Sequence, residues 1–98
     1  MARGYIIARV RIDDAERYKQ YMAESPGALG AFGGKFLVRG GQHQTVEGET
    51  ETRRLVVVEF PSYAKAQECY ASDIYRKVKA LRDGAGEAQF ILVEGYDP

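Results

Sequence analysis

The sequence predicts an α+β fold of the ferredoxin-like type, with four antiparallel strands and helices packed on one face of the sheet. Strand and helix patterns follow one another in the order β-α-β-β-α-β. The two halves are alike, because IIARVRIDDAERYKQY and LVVVEFPSYAKAQECY each contain a strand, a capping residue and a helix with an inward tyrosine. A chain of 98 residues with 45% hydrophobic content supports one core, so we expect a single domain over residues 1–98.

The first strand is predicted at residues 5–12, where β-branched residues are frequent and the side chains alternate between two faces. One face carries Ile6, Ala8, Val10 and Ile12. Asp13 is the expected N-cap of the first helix, since Glu16 three positions later completes a capping box. This helix should end near Glu24, and Ser25-Pro26 should start a separate short helical turn.

The second strand is predicted at residues 35–39, KFLVR, between two glycine pairs. Gly34 and Gly40 are expected at positive φ, which glycine adopts without steric cost. The polar segment 42–52 has no buried periodicity and should form a long excursion before the third strand, RRLVVVEF. That strand directs Val56, Val58 and Phe60 towards the helices.

The second helical region is predicted to contain two helices, capped by Ser62 and Ser72. Arg82 followed by Gly84 is the order of cation and glycine that is typical of a helix C-terminus. The last strand is predicted within QFILVEG, residues 89–95.

Both faces of the predicted sheet are apolar over much of their length, because Ile7, Leu55 and Val57 lie opposite the residues that face the helices. An antiparallel sheet with one face in water alternates more cleanly than this. In so small a chain a second copy of the protein is the simplest cover, so we expect a homodimer.

Composition narrows the function classes. Fourteen basic residues balance fourteen acidic ones, which argues against binding to nucleic acid or to an anionic membrane. A single cysteine, Cys69, and the lack of a signal-like or membrane-spanning segment favour a cytoplasmic location. One histidine and no ligand spacing typical of metal sites predict no metal, and no bound cofactor is expected.

Several stretches together resemble the uncharacterised family called domain of unknown function thirteen-thirty (DUF1330). They are GYIIARVRIDD, FGGKFLVRGG, VEG, RRLVVVEFPS, YASDIY followed by an arginine, and ILVEGY. The resemblance spans Gly4 to Gly95, with Phe32 where members of the family usually carry tyrosine. It implies a dimeric α/β barrel, in which two ferredoxin-like subunits pack sheet to sheet, and it implies no particular activity. The wider group with that architecture includes cofactor-free monooxygenases, lactone isomerases and haem-degrading proteins, so the fold alone supports many chemistries.

Arg39, at the tip of the second strand, is the most specific candidate for a binding residue. If Phe36 and Val38 face the helices, strand alternation places Arg39 on the other face with Arg9 and Glu59. Two arginines beside glycines suit a small organic anion, because the guanidinium is a planar fork of donors that matches a carboxylate. An ordinary ion-pair network at a dimer seam is the competing interpretation.

The remaining candidates are weaker. His43 in the polar excursion is a candidate base, with Glu47 to orient it, although a solvated loop histidine is the simpler interpretation. Tyr18 and Tyr75 are candidate ligand-binding residues on the inward helical faces, where tyrosine more often belongs to the core. Arg82 is included as a further ligand-binding cation.

Two functions follow. The protein is either a cofactor-free enzyme acting on a small organic acid or carbonyl compound, with His43 and Glu59 as candidate catalytic residues, or a noncatalytic dimer that binds a small ligand or serves as an accessory module.

Overall fold

The computed structural model describes residues 2–98 and contains one four-stranded sheet with strand order β2-β3-β1-β4. The elements are β1 Gly4–Ile12, α1 Ala15–Gly30, β2 Lys35–Arg39, β3 Arg54–Phe60, α2 Tyr63–Ala71, α3 Asp73–Lys79, a 3₁₀ turn Ala80–Arg82 and β4 Gly86–Glu94. All three strand pairs are antiparallel, with β1 between β3 and β4. The predicted ferredoxin-like fold is confirmed.

The core lies between the sheet and the helices, and alternate strand residues fill it as predicted. Ile6, Ala8 and Val58 are at most 2% exposed, and Phe60 is fully buried. The helices contribute tyrosine and alanine side chains to the same core, including Tyr75. Complete burial of a large apolar side chain stabilises a fold by about 1.5–3 kcal/mol, so this layer holds the sheet and helices together.

Helix α1 begins one residue later than expected and does not stop at Glu24. Its N-cap is Asp14, whose carboxylate accepts a hydrogen bond from the Arg17 amide at 3.1 Å. Asp13, the predicted cap, instead accepts hydrogen bonds from Arg11.

The same helix continues through Pro26, where a residue from the sheet replaces the hydrogen bond that proline cannot donate. Proline has no amide hydrogen, so the Met22 carbonyl four residues earlier receives no helical hydrogen bond from it. The guanidinium of Arg39 donates to that carbonyl at 2.6 Å. This contact is one reason why an arginine stands at the tip of β2.

The caps of the second helical region are as predicted. The Ser62 hydroxyl accepts from the Lys65 amide, and the Ser72 hydroxyl accepts from the Tyr75 amide, each at 3.1 Å.

A β-bulge in β2 reverses the predicted alternation of its last residues. Phe36 pairs with Val58 but Val38 pairs with Val57, so Leu37 is an extra residue in the strand. Val38 therefore points away from the helices, and Arg39 points towards them. The expectation that Arg39 lies on the face away from the helices is wrong for this reason.

The glycines that follow and precede β2 differ from expectation at one position. Gly40 has φ +73°, as predicted, but positive φ on the other side belongs to Gly33, at +80°, and not to Gly34. Gly34 is restricted by space, since a Cβ there would lie 2.8 Å from the Leu29 carbonyl oxygen and from the Phe60 ring.

The sheet face away from the helices, called the open face below, is as apolar as the sequence predicts. Val38, Ile91 and Val93 are 40–41% exposed there. Ile7 is half-buried among them and pairs with Val57 and Ile91. Within residues 2–98 no helix has the length and hydropathy needed to cross a membrane.

Candidate functional site

A pocket opens between the sheet and helix α1, and we call it the helix-side pocket. Its cavity volume is ≈ 20 Å³, about the space of one water molecule, and the surrounding open space brings the total to ≈ 430 Å³, so it is a narrow slot. The walls are mostly apolar and include Ile6, Phe36, Val58 and Phe90. The polar groups in it come from Tyr18, Tyr21, Ser25, Arg39 and Arg54.

Arg54 is the first residue of β3 and faces the helices because it pairs with the inward Val10 of β1. Its Nε is buried and has no hydrogen-bond partner within residues 2–98. One terminal nitrogen reaches the Arg39 carbonyl oxygen, but at a long 3.5 Å. The guanidinium packs directly on the Cα of Gly40, where any side chain would collide with it. Arg54 therefore lies at the pocket with its Nε–H group available to a hydrogen-bond acceptor.

Arg39 lies beside the pocket as well, but its role is partly structural. Its guanidinium stacks 4.3 Å from the centre of the Phe36 ring and donates to the Met22 carbonyl. The side chain is exposed, so water reaches its remaining donors.

Ser25 contributes a second polar group to the pocket. The residue is 1% exposed and lines the pocket, and none of the hydrogen bonds among residues 2–98 involves its hydroxyl. Buried polar groups in folded proteins are nearly always hydrogen-bonded, so the Arg54 Nε left unpaired by residues 2–98 beside this hydroxyl indicates a missing acceptor.

Tyr18 lies within electrostatic reach of three arginines. Burial raises the pKa of its hydroxyl, and the positive charges of Arg54, Arg82 and Arg39 oppose this rise without cancelling it. At neutral pH the hydroxyl therefore keeps its proton and acts as a hydrogen-bond donor.

A buried pair of tyrosines stands behind the pocket. The hydroxyls of Tyr21 and Tyr75 are 2.5 Å apart. Burial, together with Tyr75, raises the pKa of Tyr21. The Arg82 guanidinium lies 5.2 Å from the centre of the Tyr21 ring and 4.5 Å from that of Phe90.

Arg82 also lines a smaller pocket of ≈ 180 Å³, called the second pocket below. Its Nε, like that of Arg54, is buried without a partner within the described chain. Tyr18 and Val10 line both pockets and form the wall between them.

None of the three arginines around Tyr18 forms an ion pair with a carboxylate of residues 2–98. A partly buried cation without a counter-charge is costly, because an apolar surrounding strengthens every charge interaction and removes hydration. The arrangement suits an anion that the chain itself does not supply.

The predicted trio of Arg9, Arg39 and Glu59 does not form. Arg9 lies on the open face, where it bonds Gln89 at 2.9 Å and Glu51 at 3.1 Å. Glu59 lies on the same face but opposite Tyr5, four residues from Arg9 along β1, which is about 13 Å at strand rise. It accepts a hydrogen bond from the Tyr5 hydroxyl and pairs with Lys35 at 3.4 Å.

His43 does not line the helix-side pocket. It is exposed in the excursion between β2 and β3 and lines only an open depression with Gln42 and Gln44. No hydrogen bond or ion pair links it to Glu47 in the described part of the chain. Of the candidate residues, the structure brings together Tyr18, Tyr75, Arg39 and Arg82, and leaves His43, Arg9 and Glu59 outside.

Arg54 and Ser25 are the site residues that sequence reasoning missed. The inward alternation of Val56, Val58 and Phe60 extends back to Arg54, which is a signal that was present in the pattern. Ser25 lies seven residues after Tyr18 and therefore shares its helical face. Because Pro26 follows it, the sequence predicted that Ser25 caps a new helical turn.

No group of three or more His, Cys, Asp or Glu side chains within residues 2–98 could hold a metal ion. Cys69 is fully buried, and burial together with the Glu68 charge raises the pKa of its thiol to about 11. The thiol is therefore not an activated nucleophile at neutral pH.

Solved structures of other proteins have the same fold. A protein of unknown function from Rhodopseudomonas palustris matches 99% of this chain and 85% of its own, with 20% identity and a TM-score of 0.72. SnoaB from Streptomyces nogalater, a cofactor-independent oxygenase, matches 100% of this chain and 97% of its own, with 8% identity and a TM-score of 0.69. An ethyl tert-butyl ether degradation family protein from Bacillus halodurans matches 98% and 100%, with 12% identity and a TM-score of 0.57.

At such identities the likeness concerns the fold alone. No protein of curated function matches the chain. The model of one family, Domain of unknown function (DUF1330), matches residues 3–96. The protein belongs to the DUF1330 family.

Proposed function

We propose that the protein binds a small organic acid in the helix-side pocket, with the carboxylate on Arg54 and Ser25 and the apolar part of the ligand in the slot. The observation that carries this proposal is the buried Arg54 Nε, which has no partner within residues 2–98, in a pocket that the Ser25 side chain also lines. A carboxylate accepts from both groups at once.

The surroundings favour an anion over a neutral compound. Arg39, Arg54 and Arg82 pair with no carboxylate of residues 2–98, and the Tyr18 hydroxyl is a donor at neutral pH. The apolar walls exclude water and strengthen each of these interactions. Benzoate is a convenient probe, and its binding requires the slot to widen, because ≈ 20 Å³ has room for about one water molecule.

The test compares benzoate with benzamide, which has the same shape and no charge. Thermal melts and calorimetric titration of the parent should show stabilisation by benzoate, about 2.7 kcal/mol at about 100 times its Kd, and little by benzamide. Arg54→Met should remove the effect.

Arg53→Met is the matched control, since Arg53 is the neighbouring residue but pairs with Glu51 outside the pocket. A parent that neither benzoate nor any other small acid stabilises would contradict the proposal, and so would equal loss of binding in the Arg53 variant.

Catalysis without a bound cofactor is a second candidate function. It is favoured by the protonated Tyr18 hydroxyl among cations, which suits proton donation to the carbon of an enolate that enters as the substrate, with the enolate oxygen on Arg54; the tyrosinate left behind then takes a proton from water. SnoaB, of similar fold, is a cofactor-independent oxygenase. The test is conversion of the enol form of phenylpyruvate into its keto form, followed by ultraviolet absorbance, which should be accelerated by the parent and not by Tyr18→Phe.

We also propose that two copies of the chain pack open face to open face. Val38, Ile91 and Val93 remain 40–41% exposed on that face, and Ile7 and Val57 lie between them. Covering such a face removes apolar surface from water at roughly 25 cal/mol per Å². The Discussion gives the variant that tests this.

A further inference from the structure

We propose that Arg39 is the gate of the helix-side pocket. Its hydrogen bond to the Met22 carbonyl, called the latch below, holds the empty slot closed, and a ligand enters when the latch breaks. The gate rests on the proposed function above, because it controls entry to the same binding site.

The slot must open before an acid can bind. Its cavity volume of ≈ 20 Å³ has room for about one water molecule. Tyr18, Ser25 and Val58, which line it, are at most 5% exposed. A small organic acid therefore reaches Ser25 only after part of the wall has moved.

Arg39 lies where the wall can move. Among the residues that line the pocket in the described chain, Arg39 alone is exposed, and Met22 and Phe36 beside it are partly exposed. Its guanidinium stacks 4.3 Å from the centre of the Phe36 ring and donates to the Met22 carbonyl at 2.6 Å, so the side chain joins β2 to α1. Neither Arg39 nor Met22 lines the second pocket, so the latch acts on the helix-side pocket alone.

The latch is a single hydrogen bond that water can replace. Pro26 supplies no helical hydrogen bond to the Met22 carbonyl, and Arg39 supplies a substitute from the sheet. The usual net value of one hydrogen bond corresponds to about a five-fold change in an equilibrium. The latch therefore favours the closed slot without preventing it from opening.

The experiment measures slot opening by thiol labelling of a Ser25→Cys variant with methyl methanethiosulfonate, a small reagent. Peptide mass spectrometry gives separate rates for the introduced thiol and for Cys69, which is fully buried and lines neither pocket. The introduced thiol should react through opening of the slot, so its rate should hardly change in urea below the unfolding transition. The rate at Cys69, which requires unfolding, should rise with urea.

Arg39→Met in this background removes the donor of the latch. It should speed labelling of the introduced thiol about five-fold, still without dependence on urea. Lys35→Met is the matched control, because Lys35 is an exposed cation of the same strand that does not line the pocket. The control should leave the labelling rate unchanged.

Pro26→Ala separates the gate from a purely structural role of Arg39. The alanine amide can donate to the Met22 carbonyl, which then no longer depends on Arg39, and alanine also favours the helix. Labelling should therefore become faster although urea denaturation shows equal or higher stability. Gly27→Ala is its control, since it also favours the helix and its Cβ meets nothing within 4 Å, but it leaves the latch as it is. If Arg39→Met does not fold, this pair of variants decides.

The outcomes separate the gate from the proposed function. Labelling of the introduced thiol that rises with urea as steeply as that of Cys69, or that neither Arg39→Met nor Pro26→Ala accelerates, overturns the gate and leaves binding of an acid standing. Faster labelling in both variants supports the gate. If benzoate then does not bind the parent with its native Ser25, the proposed function fails while the gate stands.

Discussion

The arginines on the two faces of the sheet differ in whether a carboxylate pairs with them. On the open face Arg9 pairs with Glu51 and Arg11 pairs with Asp13, both within 3.1 Å. On the helix face Arg54 reaches only a distant carbonyl oxygen, and its Nε has no partner within residues 2–98. The chain itself provides the partners of the first set, whereas we propose that a bound acid provides the partner of the second.

Apolar groups show the reverse pattern. The helix face buries its apolar residues almost completely, as Ile6 and Phe60 show. The open face leaves Ile91 and Val93 about two-fifths exposed. We therefore propose one requirement for each face, an anion on the helix side and an apolar cover on the open side. The predictions below test these two requirements separately.

The largest effect is expected from Ile91→Asp, which places a charge in the middle of the open face. The parent should sediment as a dimer at micromolar concentration, and the variant as a monomer, because burying an unpaired carboxylate in an interface costs several kcal/mol.

Ile74→Asp is the matched control. Ile74 is 51% exposed, similar to Ile91 at 41%, but it lies on helix α3. Its variant should remain dimeric. A parent that is monomeric at micromolar concentration would contradict the dimer outright.

The next effect concerns the turn that supports Arg54. Gly40→Ala should lower the free energy of unfolding by at least about 1 kcal/mol, because alanine is strained at φ +73° and its Cβ would collide with the Arg54 guanidinium. Binding of benzoate should weaken as well. Urea denaturation of Gly41→Ala is the comparison, since a Cβ at Gly41 meets nothing within 4 Å. Equal stability of the two variants would count against this role of the turn.

Arg39→Ala should cost about 1 kcal/mol in urea denaturation, the usual net value of one hydrogen bond at a site that water can reach. The variant loses the hydrogen bond to the Met22 carbonyl left free by Pro26. Arg76→Ala, which removes an exposed pair with Asp73, should cost less. A loss of about 3–5 kcal/mol would instead indicate a buried ion pair of Arg39, which was the competing interpretation of the sequence.

The smallest effect is the pH dependence contributed by Glu51 on the open face. Hydrogen bonds from Arg53, together with the Arg9 charge, lower its pKa from 4.5 to about 2. Because the folded pKa is depressed, the contribution to stability is present above pH 4.5 and is lost as the pH falls towards 2. Acid unfolding of Glu51→Gln should lack this component. Identical acid profiles would show that the contacts of Glu51 are not maintained in solution.

Most of the fold followed from local patterns. Strand alternation in β1 and β3 and the serine caps of α2 and α3 predicted the elements because each depends on neighbouring residues only. The continuation of α1 through Pro26 could not be predicted in this way, since Arg39, which donates a hydrogen bond to the Met22 carbonyl in place of Pro26, comes from another element.

The site residues were harder to predict than the fold, because their positions also depend on contacts with other elements. Nothing in KFLVR marks Leu37 as an extra residue, because a bulge is defined by the partner strand. Arg39 was consequently assigned to the wrong face. Tyr18, Tyr75 and Arg82 were identified as candidates, whereas Arg54 required only that the inward alternation of β3 be extended by one more step.

The most direct test of an acid at the helix-side pocket is a ¹H–¹⁵N spectrum of the arginine Nε–Hε groups during titration with benzoate. Arg54→Met assigns the Arg54 resonance, and Arg9, bound to Glu51 and Gln89, is the internal reference. A new hydrogen bond should move the Arg54 signal in a saturable way and leave that of Arg9 in place. An Arg54 signal that does not move at saturating benzoate, or that moves no more than the signal of Arg9, would contradict the account.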